Sequence, residues 1–226
     1  METKMRRLII DSGGRYHDFC QGDYIKGNQW GLSEKTQRQG AWIGDEYNRK
    51  TKVTTYGLGC GVCLGLAGAY LVAGNIWDKF EDYLEGQDGR ALVRGIMNFQ
   101  KQLTANGSTK PMSMVLHQIL RTRNVSFIKK NKVLRAHISH RAGDEILKYI
   151  VPGFGYYIHI HGKWGAHAIA LRMDSGDIKL FDPNDGEAVF AYQQGGNPGM
   201  ARFIGRHLSE YYSPFQSLYV ERYTLR

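Results

Sequence analysis

From Val62 to about Leu84, apolar side chains return every few residues, at Leu66, Tyr70, Val72, Ile76, Phe80 and Leu84, and this spacing predicts one long helix. Two more helical stretches follow at Arg90–Leu103 and Pro111–Arg123. The second opens on a proline, which suits a first helical turn because its missing N–H would have no partner there. Ser139–Val151 is a fourth helix, with Ser139 as its N-cap. The period then shortens to two. Gly155–His161, Ala166–Met173, Asp177–Asp182 and Ala188–Tyr192 alternate or gather β-branched and aromatic residues, so each predicts a strand. Asn197–Tyr212 returns to helical spacing, capped by Asn197 with Pro198 at the first helical position, and Ser217–Thr224 closes the chain as a strand. Upstream, Arg7–Asp11 reads as a short strand. Residues 12–56 are polar, glycine-rich and weakly periodic, which predicts loops and short helices. A helix-rich first part and a β-rich last third make an α+β fold, a helical half packed on an antiparallel β-sheet.

With 226 residues the chain suits a single domain spanning 1–226, one that buries roughly 70% of its unfolded surface. No apolar run approaches the ~18 residues of a membrane-spanning helix. Met1–Arg7 is basic without the apolar core of a secretory signal peptide. Three cysteines, Cys20, Cys60 and Cys63, are too few and odd in number for a disulfide scaffold, which favours a reducing compartment. The net charge of +9 is concentrated in 121–141, where Arg121, Arg123, Lys129, Lys130, Lys132, Arg135 and Arg141 meet no acid. Such a stretch suits phosphates of nucleic acid or of anionic lipid, or is simply a solvated face. No zinc-finger spacing, RNA-recognition signature or P-loop accompanies it, which argues against nucleic acid.

Cys63 carries the first candidate chemistry. A thiol has a reference pKa near 8.5, and the predicted helix places it in a first turn, where unpaired N–H groups and the macrodipole favour an anion. Gly57, Gly59, Gly61 and Gly65 flank it and leave room for a substrate chain. A small buried hydrophobe at a tight helix start is the plainer reading of the same residue. Cys60, predicted on the preceding loop, is a rival nucleophile. Cys60-x-x-Cys63 with His159-x-His161 has ligand types suited to zinc, but no second cysteine pair completes the set, and no metal or cofactor is expected. A dithiol redox motif at Cys60-Gly61-Val62-Cys63 lacks the preceding parallel-strand pattern.

His167 and Asp182 are linked by hairpin arithmetic. Asp174-Ser175-Gly176-Asp177 is a turn signal, and an even loop centred on Ser175-Gly176 pairs residues whose numbers sum to 351. Asp182 then faces Ile169, and His167 is its diagonal neighbour on the same face, about 7–8 Å away. Asp182 can hold one ring nitrogen of His167 while the other takes the thiol proton. Taken alone, His167 also suits a core histidine and Asp182 a turn aspartate before Pro183.

Three stretches resemble the YopT/AvrPphB-type family of papain-like cysteine proteases, known as bacterial effector proteases. Gly61-Val62-Cys63-Leu64-Gly65-Leu66 is similar to the family's cysteine motif, Gly165-Ala166-His167-Ala168-Ile169-Ala170 to its histidine strand, and Phe181-Asp182-Pro183-Asn184-Asp185-Gly186-Glu187 to its aspartate segment. The resemblance spans about 60–190. It departs at Ala166, between Gly165 and His167, and at Gly57, where papain carries its oxyanion-hole glutamine. Asn28, Gln29 and Gln39 are candidate oxyanion donors beside the backbone N–H of Cys63. The resemblance implies a papain-like fold and a thiol protease with Cys63 as nucleophile, His167 as base then acid, and Asp182 orienting His167. It further implies a host protein as substrate, secretion into the host cell by a route other than a signal peptide, and membrane placement through the basic 121–141 stretch. A deamidase or acyltransferase would use the same triad, and a non-catalytic basic binding module would keep the fold alone.

Overall fold

The computed structural model describes residues 4–27, 46–48, 53–55, 59–74, 76–105, 112–134, 140–162, 165–192, 197–212 and 215–225. The helices are α1 (Lys4–Asp11), α2 (Gln21–Gly27), α3 (Gly59–Val72), α4 (Trp77–Glu85), α5 (Gln87–Ala105), α6 (Met112–Arg121), α7 (Ala142–Leu147) and α8 (Pro198–Tyr211). The strands are β1 (Arg15–Asp18), β2 (Glu46–Asn48), β3 (Val53–Thr55), β4 (Val125–Leu134), β5 (Phe154–Gly162), β6 (Gly165–Met173), β7 (Asp177–Asp182), β8 (Gly186–Ala191) and β9 (Phe215–Leu225). Strands β2 and β3 form a separate hairpin. The other seven make one sheet in the order β1-β8-β7-β6-β5-β9-β4, antiparallel throughout. The α+β class and the antiparallel sheet match the sequence reading. Among the described residues no helix is long and apolar enough to cross a membrane.

Helices cover both faces of the sheet. On one face, Tyr157, Ala168, Ala170, Phe181 and Tyr223 pack against Val62–Leu71 of α3 and residues of α4, α5 and α6. On the other, Tyr156, Ile158, Ile169, Leu171 and Leu180 pack against Met5, Leu8 and Ile9 of α1, Ile146 of α7, and Phe203, Ile204 and Leu208 of α8. Burial on both sides is why β6 reads Ala-Ile-Ala-Leu rather than apolar-polar. Within α3 the stretch Val62–Leu71 is buried all round, as its continuous apolar sequence requires. It approaches the sheet at Gly68, where an added Cβ would lie 2.5 Å from the Tyr157 hydroxyl. That hydroxyl donates to the Leu64 carbonyl at 2.8 Å. Gly68→Ala therefore overpacks the interface and disturbs a buried hydrogen bond. Against a helix-propensity gain of up to ~1 kcal/mol, we expect a net loss of about 2 kcal/mol in urea denaturation.

Several sequence expectations are corrected. The predicted Val62–Leu84 helix is two: α3 stops at Val72, Gly74 takes φ +71°, and α4 restarts at Trp77. Only glycine adopts that left-handed cap without strain. Arg7–Asp11 belongs to a helix, not a strand, because Met5, Leu8 and Ile9 bury a helical stripe. Within 12–56, which predicted no strand, β1 joins the sheet edge and β2–β3 form a hairpin. Strand β4 was unforeseen because register shifts at Phe127/Lys129 and Lys132/Leu134 break its alternation. The fourth helix shrinks to α7, with Arg141 at its N-cap, and Ser139 lies outside the described residues. The cap at α8 is as expected: Asn197 Oδ1 accepts from the Met200 N–H at 2.8 Å.

Candidate active site

Helix α3 opens at Gly59, three residues before the predicted start. Cys63 is therefore its fifth residue, and its N–H falls in the helix's own hydrogen-bond ladder rather than among the unpaired first-turn donors. This corrects the expectation that helix-terminal donors hold a Cys63 anion. Cys60 lies within the helix, not on the preceding loop; its side chain, like Asn28, Gln29 and Gln39, is outside the described residues. The Cys63 side chain is buried against the face of the sheet that carries β6.

Strands β6 and β7 pair Ala170 with Phe181 and Leu171 with Leu180, the register summing to 351. The short turn between them is closed by the Asp174 N–H donating to the Asp177 carbonyl at 2.8 Å. This register puts His167 Nε2 2.8 Å from Asp182 Oδ1. With Nε2 committed, Nδ1 is the nitrogen left for a proton donor, and Cys63 is among the groups that raise the pKa of this imidazole. Burial alone would lower the His167 pKa, but the Asp182 carboxylate, and then the bond to Cys63, push it up to about 10.

Asp182 is fully buried and ringed by donors. Oδ1 accepts from His167 and from the Asn184 N–H at 3.0 Å. Oδ2 accepts from His207 Nε2 at 2.8 Å and from the Tyr212 hydroxyl at 2.8 Å. Burial would raise this carboxyl, yet His167 and His207 hold it well below the usual carboxylate range. Tyr212 also stacks its ring on that of His167, with centroids 4.9 Å apart and planes at 13°. Asn184 Nδ2 donates to the Tyr212 hydroxyl at 3.1 Å, tying the turn after Asp182 to the end of α8.

His207 and Tyr212 escaped the sequence reading. The usable signal was a histidine amid the apolar stripe Phe203, Ile204 and Leu208, where a titratable group needs a buried partner. Among the described residues its buried Nδ1 has no partner, while its Nε2 faces Asp182 at 2.8 Å. Asp185, three residues beyond Asp182, is pushed up to about 6 by burial and then by the Asp182 charge.

Ligand atoms of Asp182, Asp185 and His207 lie within 4.8 Å of one another, the one such cluster among the described residues. Its chemistry fits a hydrogen-bonded brace rather than a cation site, because both Asp182 oxygens already accept two donors each. For the zinc reading, His159 Nε2 lies 3.2 Å from Glu221, while Cys63 acts on the imidazole of His167. One cation of the basic stretch is committed to a buried acid. Lys130 Nζ is 3.1 Å from buried Glu221, which also takes His117 at 3.1 Å and the Tyr223 hydroxyl at 2.7 Å.

The family model Peptidase_C58, described as Yersinia/Haemophilus virulence surface antigen, matches residues 34–225. Among curated proteins none matches the chain. The solved structure of the Pseudomonas avirulence protein AvrPphB superposes with a TM-score of 0.58 at 18% identity, covering 73% of this chain and 92% of that one. PatoxP, a cysteine protease-like domain of the Photorhabdus asymbiotica toxin PaTox, matches with a TM-score of 0.41 at 12% identity, covering 97% of this chain and 57% of that one. The fold is papain-like.

Proposed function

The chain belongs to the Yersinia/Haemophilus virulence surface antigen family of peptidases, and on that premise we propose that it hydrolyses peptide bonds through Cys63, His167 and Asp182. The observation that carries this reading is an imidazole held at 2.8 Å by a buried carboxylate, with the Cys63 thiol among the groups that raise its pKa. A raised imidazole pKa favours transfer of the Cys63 proton to Nδ1 before substrate arrives. The thiolate adds to the scissile carbonyl carbon and forms a tetrahedral adduct. His167 returns its Nδ1 proton to the amide nitrogen, the C–N bond breaks, and a thioester remains. His167 then takes a proton from water, the hydroxide adds to the thioester, and the thiolate leaves with the acid released. Asp182 keeps the ring oriented and offsets the imidazolium charge throughout.

We read 1–226 as one catalytic domain acting on a host protein after delivery into the host cell, where a reducing cytosol keeps Cys63 a thiol. The test is a lysate screen that compares wild type with Cys63→Ala by mass spectrometry of new N-termini. Wild-type-specific termini support a peptidase. Glutamine-to-glutamate conversion, or acyl transfer, without cleavage would replace that reading with deamidase or acyltransferase chemistry. No covalent change at all would leave a binding module.

The exposed side chains of the edge strand β4 complete the proposal. Phe127, Ile128, Lys129 and Lys132 are exposed along it, a combination that suits anionic lipid, each cation adding at most about 1 kcal/mol. Co-sedimentation with phosphatidylserine vesicles is expected at low salt and should weaken as salt rises. Binding indifferent to lipid charge would leave the stretch as a solvated face.

A further inference from the structure

The turn Pro183-Asn184-Asp185 that follows Asp182 is gripped, residue by residue, by a segment far away in sequence. Strand β1 pairs with β8 so that Asp18 lies opposite Gly186, which brings residues 15–21 alongside the turn. The Gln21 N–H donates to the Pro183 carbonyl at 2.8 Å. Gln21 Nε2 donates to Asn184 Oδ1. The Tyr16 hydroxyl lies 2.6 Å from the Asp185 carbonyl and 2.7 Å from Asp18 Oδ1, two acceptors that share its single proton. Gly186, at φ +113°, packs so tightly on the His17 carbonyl that no Cβ would fit. These grips precede the span 34–225 that the family model matches.

Their target matters because Asn184 is the node of the carboxylate's support. Its N–H donates to Asp182 Oδ1, the oxygen that also holds His167, and its side-chain amide donates to the Tyr212 hydroxyl that serves Oδ2. Both ends of Asp182 thus depend on where Asn184 sits. The Gln21 amide is oriented for this bond at the expense of its own carbonyl, since Oε1 is buried without a partner among the described residues.

We propose that Tyr16 and Gln21 are positioning residues that clamp the turn after Asp182 and thereby set the Cys63–His167 ion pair. The inference rests on the reading of Cys63, His167 and Asp182 as the reacting centre. Loosening the clamp lets the carboxylate drift from His167, so the imidazole holds the thiol proton less well at low pH. At high pH any thiol is ionised and the clamp makes no difference.

The test measures the rate of Cys63 alkylation by iodoacetamide across the pH range, followed by peptide mapping, in the full chain. Wild type is compared with Gln21→Met and Tyr16→Phe, both of which keep side-chain bulk. We expect each variant to react about 3–10-fold more slowly at about pH 6 and to converge on wild type above about pH 9.5. A merely structural role would change accessibility and move the rate equally at every pH. Superimposed wild-type and variant profiles, or a uniform offset, would overturn the clamp alone. If wild-type Cys63 reacted no faster than exposed Cys20 at about pH 6, the peptidase reading would fail, and the clamp with it.

Discussion

Cys63→Ala should reduce peptide cleavage to background, and His167→Ala should come close, a loss of roughly 10⁴-fold or more in kcat. Cys63 is the thiol that acts on His167, whose other ring nitrogen is held by buried Asp182, and that imidazole is the group in the proposed mechanism that takes and returns the proton. The two variants nevertheless differ. His167→Ala keeps the thiol, so it should regain part of its rate as pH rises towards the ordinary thiol pKa of about 8.5. Cys63→Ala should stay flat at every pH. Initial rates on an identified substrate, taken from pH 5 to 10, separate these behaviours. A His167→Ala rate equal to wild type at neutral pH would remove the imidazole from the mechanism.

How much of this was legible in the sequence depends on the range of the interaction concerned. The His167–Asp182 contact was readable because a two-residue loop fixes the register of a hairpin, and the alternation of β6 and β7 then decides which side chains share a face. Cys63 was readable as a candidate, but its helical position was not. The glycines at 59 and 61 read as loop, and burial of Val62–Leu71 against the sheet and α5 outweighs their low helix propensity. The donors on Asp182 Oδ2 were out of reach, because they come from His207 of α8 and from Tyr212 just after it, and no local pattern specifies how that helix packs on the far side of the sheet. The misreading of α1 has a related cause: Arg-Leu-Ile-Ile suits a strand by propensity, and only burial of Met5, Leu8 and Ile9 together decides for helix.

Asp182→Asn should cost about 10–10³-fold in kcat at neutral pH with the fold intact, less than the ~10⁴-fold of a serine triad, because a thiolate is already a good nucleophile. The amide can be seated here. Its oxygen can keep the His167 and Asn184 donors, and its NH₂ can face His207 Nε2, since His207 Nδ1, with no partner among the described residues, can carry the ring proton instead. What is lost is charge. The carboxylate is the larger of the two influences raising His167 to about 10, so its removal shifts thiolate formation to higher pH, and the acid limb of kcat/KM should move up. Asp185→Asn is the control. Asp185 is raised to about 6 in the fold, so the folded state holds its proton more tightly than the unfolded chain, and stability falls as pH rises from about 4 to 6. Its amide variant should therefore melt higher than wild type at pH 7, match it near pH 4, and keep its turnover within about threefold. Were Asp185→Asn the damaging change and Asp182→Asn silent, the carboxylate that serves His167 would be misassigned, since the two side chains differ chiefly in which one reaches Nε2.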